Sequence, residues 1–109
     1  MNEARLYLLQ RLSAMILAPL VLVHLGLVIY AVRGGLSAAE ILSRTQGSLF
    51  WVLFYGPFVV AVAVHAPIGL RNILREWTPW RGQGLDWALT AFACLLLVLG
   101  LRAVAAVVL

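Results

Sequence analysis

Three long apolar runs, separated by short polar segments, dominate the pattern of this chain. Residues 12–32 form a stretch of 21 positions without a formal charge, and residues 47–70 form another of 24. A third run, residues 85–109, carries Asp86 at its start and Arg102 near its end, where a long side chain can reach the lipid headgroups. Because about 20 apolar residues suffice for a helix to cross a bilayer, the pattern predicts three membrane-spanning helices.

The expected fold is therefore all-α, with a single transmembrane domain over residues 1–109. Helices are predicted at about 8–32, 47–75 and 85–108, running up, down and up through the membrane. The segments 33–46 and 78–84 are rich in Gly, Ser, Arg and Trp. This composition predicts interfacial loops.

Composition supports a membrane protein and excludes other classes. Hydrophobic residues make up 64% of the chain and charged residues 11%, with a mean hydropathy of +1.03, whereas about a quarter of a soluble domain is charged. The net charge of +4 comes from arginines at the ends of the apolar runs, which does not indicate a nucleic-acid partner. The single cysteine, Cys94, excludes an internal disulfide and a cysteine set for iron–sulfur clusters.

The distribution of arginine predicts the orientation. By the positive-inside rule, the side with more positive charge faces the cytoplasm, which places the N-terminus and the second loop there. Trp77, Trp80 and Trp87 flank that loop, as interfacial aromatic residues do. The arginines expected on the cytoplasmic side are Arg5, Arg11, Arg71, Arg75 and Arg81, against Arg33, Arg44 and Arg102 on the other.

The only two histidines, His24 and His65, lie inside apolar spans. An unpaired polar group there costs several kcal/mol, so each ring needs a partner. One interpretation is a hydrogen bond to a neighbouring helix. The other is axial ligation of a haem iron by a neutral imidazole.

Helical spacing places further residues beside these histidines. His65, Gly69, Asn72 and Glu76 share one face of the second span. Gly69 leaves space one turn from His65, which suits either a flat macrocycle or close helix packing.

Ser13 and His24 share a face of the first span, eleven residues apart. If Ser13 and Glu76 stand at one level, both histidines stand about 16 Å deeper on antiparallel helices. This arrangement allows one haem clamped within the chain. It equally allows each histidine to meet a partner subunit.

A polar cluster is predicted near the cytoplasmic surface. Arginines there suit haem propionates, while a hydroxyl, a carboxyl group and an indole N–H suit a quinone carbonyl and its protons. The alternative is a belt of interfacial charges that only anchors the helices. The candidates are Arg11, Ser13 and Arg71 for a propionate or quinone pocket, and Ser13, Glu76 and Trp77 for quinone binding.

Two segments of the chain resemble the small membrane-anchor cytochrome b subunits of succinate dehydrogenase and fumarate reductase. The segment QRLSAMIL at 10–17 is similar to the family's Arg-x-Ser/Thr entry to its first helix. The segment HAPIGLRNILREW at 65–77 resembles its His-x-x-x-Gly motif, which an acid and an aromatic residue follow. With three spans and a similar length, the resemblance covers most of the chain.

The resemblance implies specific roles. His65 would be an axial ligand of haem b, the second ligand commonly coming from a paired anchor subunit. Arg11 would lie near a propionate or the quinone pocket, and Glu76 and Trp77 would border the quinone. The chain departs from the shorter D-type pattern at Trp77, where tyrosine is usual, and at His24, which leaves open a second haem or a haem held by this chain alone.

The function implied is a haem b-binding anchor of a succinate:quinone oxidoreductase, within a multi-subunit helix bundle of a bacterial cytoplasmic (inner) membrane. Such a subunit has no flavin and no complete active site of its own. It passes electrons from an iron–sulfur subunit, beside a flavoprotein subunit, to ubiquinone or menaquinone. The rival hypotheses are a haem-free structural anchor and a small transporter or channel subunit with a histidine proton relay.

Overall fold

The computed structural model describes residues 2–109, which form four α-helices. They are α1 (Glu3–Gly34), α2 (Ala38–Thr45), α3 (Leu49–Trp77) and α4 (Gln83–Val108). The long helices α1, α3 and α4 contain 32, 29 and 26 residues, and each is long and apolar enough to cross a membrane. The all-α fold with three spanning helices is confirmed.

The first helix begins earlier than the hydrophobic pattern predicts. Asn2 caps it, because its side-chain oxygen accepts the backbone N–H groups of Ala4 at 2.9 Å and Arg5 at 3.2 Å. Glu3, in the first turn, has the charge that suits a helix N-terminus. The apolar run therefore does not mark the start of α1, which lies about one and a half turns before the predicted residue 8.

The segment 33–46, predicted to be a loop, contains the short helix α2. Ser37 is the N-cap of α2. Its hydroxyl oxygen accepts a hydrogen bond from the Glu40 backbone N–H at 3.2 Å, and the hydroxyl donates to Glu40 Oε1 at 2.7 Å. The Ser-x-x-Glu spacing is that of a capping box. The loop prediction for 33–46 used the composition of the segment and overlooked this spacing.

The end of α2 covers the last turn of α4. Thr45 Oγ1 donates to the carbonyl oxygen of Val107 at 2.6 Å, and the Gly47 N–H donates to that of Val108 at 2.7 Å. Gly47 has φ +75°, a conformation that glycine adopts without strain. These bonds satisfy carbonyl groups that a helix C-terminus leaves without partners.

The central helix is α3, which packs against α1 and α4. It packs tightly against α4 at Gly100, where an added Cβ would lie 2.5 Å from Val59 Cγ1. Few apolar side chains are buried within the chain, and large ones lie exposed along all three long helices. Lipid or other subunits must cover these surfaces, because exposing so much apolar area to water is energetically unfavourable.

Candidate functional site

His65 on α3 forms a hydrogen bond with Ser13 on α1. The distance between His65 Nδ1 and Ser13 Oγ is 3.3 Å, and the Ser13 hydroxyl donates to the Gln10 backbone carbonyl at 3.0 Å. Ser13 is 5% exposed, and the His65 ring is half-buried. Nε2 of His65 has no hydrogen-bond partner among residues 2–109.

Gly69, one turn after His65, allows α1 to approach α3 closely. A Cβ at this position would lie 3.3 Å from Nε2 of Gln10. The Gln10 amide occupies the adjacent space, and both explanations for this glycine, close helix packing and clearance for a macrocycle, stay predictions. Within the described residues, Gln10 Oε1 is buried and accepts no hydrogen bond.

His24, on α1, lies beside aromatic residues of α3. Its Nδ1 is 3.3 Å from the Tyr55 hydroxyl, and its ring centroid is 5.3 Å from that of Phe58. A cavity of about 360 Å³, lined mainly by apolar side chains, adjoins this pair and reaches Gly100. Sequence reasoning missed Tyr55, since an isolated tyrosine in an apolar run has no distinctive spacing.

The two histidine contacts define the register between α1 and α3. Ser13 pairs with His65, and His24 pairs with Tyr55. The faces were predicted correctly, since Ser13 and His24 both face α3. The histidines do not lie at one depth, however, because eleven residues of α1 separate their levels by about 16 Å.

The predicted shared level of Ser13 and Glu76 is also wrong. Because α1 begins at Glu3, that residue rather than Ser13 stands level with the end of α3, and the Arg75 guanidinium donates to its carboxylate at 2.9 Å. Ser13 therefore lies deeper in the bundle than predicted, at the level of His65. A single iron therefore cannot bind both His24 and His65 of one chain, since one atom would have to lie beside both rings.

Arg71 joins the three long helices at the end of the bundle where α1 begins, α3 ends and α4 begins (the N-terminal end). It donates to the Glu3 carboxylate of α1 at 2.7 and 3.2 Å, and to Asp86 Oδ1 of α4 at 2.9 Å. Arg71 is 7% exposed. A haem propionate could bind Arg71 only by displacing one of these carboxylates. The geometry therefore indicates that Arg71 holds the helices together.

A separate cavity of about 320 Å³ lies at the N-terminal end, between α1 and α3. Arg11 lies at its edge, with its guanidinium 6.0 Å from the centre of the Tyr7 ring, and forms no ion pair within residues 2–109. Ser13 does not line this cavity. The lining residues are Glu3, Leu6, Tyr7, Gln10, Arg11, Ile68 and Asn72.

The remaining predicted residues, Glu76 and Trp77, end α3 at the same end of the bundle. Both are exposed, Trp77 to 81%. Glu76 follows Asn72 by four residues, so the two share a helix face. The structure thus groups Arg11 with the cavity, leaves Glu76 and Trp77 open beyond it, and separates Ser13 from them.

No group of three or more His, Cys, Asp or Glu side chains that could hold a free metal ion occurs within residues 2–109. An axial haem ligand is a different case, because the porphyrin supplies the other iron ligands and the chain needs only one imidazole.

One comparison with known proteins gives a match. A family model described as the succinate dehydrogenase/fumarate reductase transmembrane subunit matches residues 2–108. No curated protein and no solved structure gives a significant match.

Proposed function

The chain belongs to the transmembrane subunits of succinate dehydrogenase and fumarate reductase, and from this premise we propose that it binds haem b and helps to pass electrons to a quinone. An iron–sulfur subunit is the proposed donor, itself reduced by a flavoprotein subunit. We place both on the cytoplasmic side of a bacterial inner membrane, at the N-terminal end of the bundle. Five of the eight arginines lie at that end, as the positive-inside rule requires.

The observation that carries the proposal is the setting of His65. Nδ1 is hydrogen-bonded inside the chain, whereas Nε2 has no partner among residues 2–109 and is not buried. A neutral imidazole oriented in this way fits an axial iron ligand. Haem supplies reversible one-electron transfer when bound.

If His65 holds a haem iron, we propose that a second protein ligand would come from another subunit, because His24 lies about 16 Å away along α1. A second anchor subunit against the exposed apolar faces could provide it. A ligand role for His24 would require a second haem beside the cavity near Tyr55, again with a partner's ligand.

The cavity at the N-terminal end supports a site for the quinone headgroup or a haem propionate. Arg11 offers a cation without an acidic partner in the described chain, which suits a propionate. Gln10 lines the same cavity, and its side-chain amide could form a hydrogen bond with a quinone headgroup there. Glu76 and Trp77, one turn and more beyond Asn72, would border the quinone. The Trp77 indole N–H could donate a hydrogen bond to it, and the Glu76 carboxyl group could exchange its protons with water.

Haem content and spectra of the purified complex test the proposal. We expect a reduced-minus-oxidised b-type signal that His65→Ala abolishes. His24→Ala is the matched variant, since it also removes an imidazole bonded between α1 and α3. Unchanged haem in His24→Ala indicates one haem, and a loss of half indicates a second haem at His24.

The haem-free anchor is the alternative that this experiment decides. A complex that assembles, contains no haem and tolerates His65→Ala without loss of electron transfer would contradict the cytochrome proposal. Family membership and the three spans would be unaffected.

A further inference from the structure

We propose that Ser13 is a positioning residue for His65, fixing the tautomer and the ring orientation of the proposed haem ligand. This inference rests on the proposed haem function, and it moves Ser13 from the predicted quinone site to the haem site. The geometry supports the move: Ser13 is buried between α1 and α3, and it does not line the cavity at the N-terminal end.

The direction of the hydrogen bonds determines the tautomer. A serine hydroxyl has one proton to donate and lone pairs with which to accept. The Ser13 proton is donated to the Gln10 carbonyl at 3.0 Å, so its oxygen can only accept from His65 Nδ1 at 3.3 Å. The proton of the neutral ring therefore lies on Nδ1, and Nε2 keeps the lone pair that a metal requires.

The ring is also oriented by this bond. The nitrogen that carries the bond is directed into the α1–α3 interface, so Nε2 is directed away from Ser13. Gln10, one turn before Ser13, fills the space beside Gly69 and limits movement of α1 against α3 at this level. Partners of this kind commonly set the orientation and basicity of a ligating histidine.

The pairing of His24 shows what Ser13 contributes. The Tyr55 hydroxyl has no hydrogen-bond partner among residues 2–109 other than His24, so its proton is free to go to Nδ1 of that ring. In that arrangement the His24 proton lies on Nε2, which cannot then bind iron. At His65 this tautomer is excluded, because the Ser13 hydroxyl proton is donated to the Gln10 carbonyl and cannot also go to Nδ1.

The test measures the haem midpoint potential and haem retention in the purified complex. In Ser13→Ala, the imidazole loses its acceptor and becomes a weaker electron donor, which destabilises the ferric state. We expect a shift to a more positive potential, altered g-values of the oxidised haem, and haem loss to a scavenging protein that is faster by about tenfold.

Three further variants separate this role from packing. Ser13→Thr and Ser13→Val have nearly the same shape, and only the first keeps a hydroxyl, so we expect a wild-type potential in Thr and the Ala-like shift in Val. Ser43→Ala is the matched control, since Ser43 also donates to the carbonyl three residues earlier, at 2.7 Å, and forms no hydrogen bond with a histidine among residues 2–109.

The outcomes distinguish the two proposals. A complex without haem in the wild type overturns both. A haem that is lost in His65→Ala but keeps its potential and retention in Ser13→Ala overturns only the role of Ser13. Equal haem potentials in Ser13→Thr and Ser13→Val also overturn only the role of Ser13, and this outcome can be measured even when Ser13→Ala does not assemble.

Discussion

The surroundings of His65 and His24 differ although both rings form a hydrogen bond between α1 and α3. His65 meets a serine whose proton is already donated to a backbone carbonyl. His24 meets a phenol whose proton is free for the ring. Our proposal therefore gives the two rings different tautomers, with a lone pair on Nε2 of His65 and, when the Tyr55 proton goes to the bonded nitrogen, a proton on Nε2 of His24.

The two halves of the bundle differ in the same sense. The half with His65 continues into a cavity that charged and amide side chains line in part, and into the Arg71 ion pairs. The half with His24 has aromatic neighbours, a largely apolar cavity and the covering helix α2. A histidine in a span thus does not indicate function by itself, since the partner of its bonded nitrogen decides what the other nitrogen can do.

The largest expected effect concerns the cations at the two ends. Arg71→Met removes the cation shared by Glu3 and Asp86, and we expect a loss of about 2–3 kcal/mol in stability, since Glu3 keeps Arg75 as a partner. Arg44→Met is the control at the other end, where Arg44 donates only to the Gly35 carbonyl and lies 5.8 Å from the Tyr30 ring centre. Its expected cost is about 1 kcal/mol. Thermal denaturation of the purified complex measures both, and equal losses would contradict the structural role of Arg71.

The next effect concerns the carboxyl groups. Glu76→Gln removes a proposed proton donor to the quinone, and we expect quinone reduction to fall by about 100-fold. Reduction of an artificial acceptor by the partner subunits should not change. Glu40→Gln, at the far end of the bundle, should match the wild type in both assays. Wild-type quinone reduction in Glu76→Gln would remove Glu76 from the site.

A smaller effect is expected at the contact of α3 with α4. An alanine at Gly100 would force Val59 to move, with a cost of about 1–3 kcal/mol. Gly26→Ala is the control, because a Cβ at Gly26 meets nothing within 4 Å. Adding Val59→Ala to Gly100→Ala should recover much of the loss. Equal melting temperatures for the two glycine variants would show that the contact is not tight.

The smallest effect sharpens the contrast between the histidines. Tyr55→Phe removes the partner of His24 and should cost about 1 kcal/mol in stability. We expect no change in the haem midpoint potential, unlike the shift expected for Ser13→Ala. Optical redox titration of the two variants measures the difference. A similar shift in both would mean that His24 also acts on a haem.

The sequence predicted the spans and their faces because both follow from local patterns. Residues 12–32 are apolar enough to identify a span, and the eleven-residue spacing of Ser13 and His24 correctly places them on one face. The axial shift between α1 and α3 is not local. It depends on Asn2 capping α1 and on Glu3 meeting Arg71 and Arg75, residues that are distant in the chain.

The candidate site was predicted only in part for the same reason. His65 and Arg11 stood out because polar groups beside or within a span are rare. The pairing of His65 with Ser13 and that of His24 with Tyr55 could not be predicted, because both depend on the register between α1 and α3. The helix α2 is different, since Ser37 and Glu40 had the local spacing to reveal it.

The position of Arg71 also bears on how the protein is made. Its guanidinium pairs with α1 through Glu3 and with α4 through Asp86, and α4 leaves the ribosome after α1 and α3. We expect α3 to keep this residue near the headgroups during biogenesis until α4 arrives. A nascent chain stalled before Asp86 would then display a cation that lacks one of its two carboxylate partners.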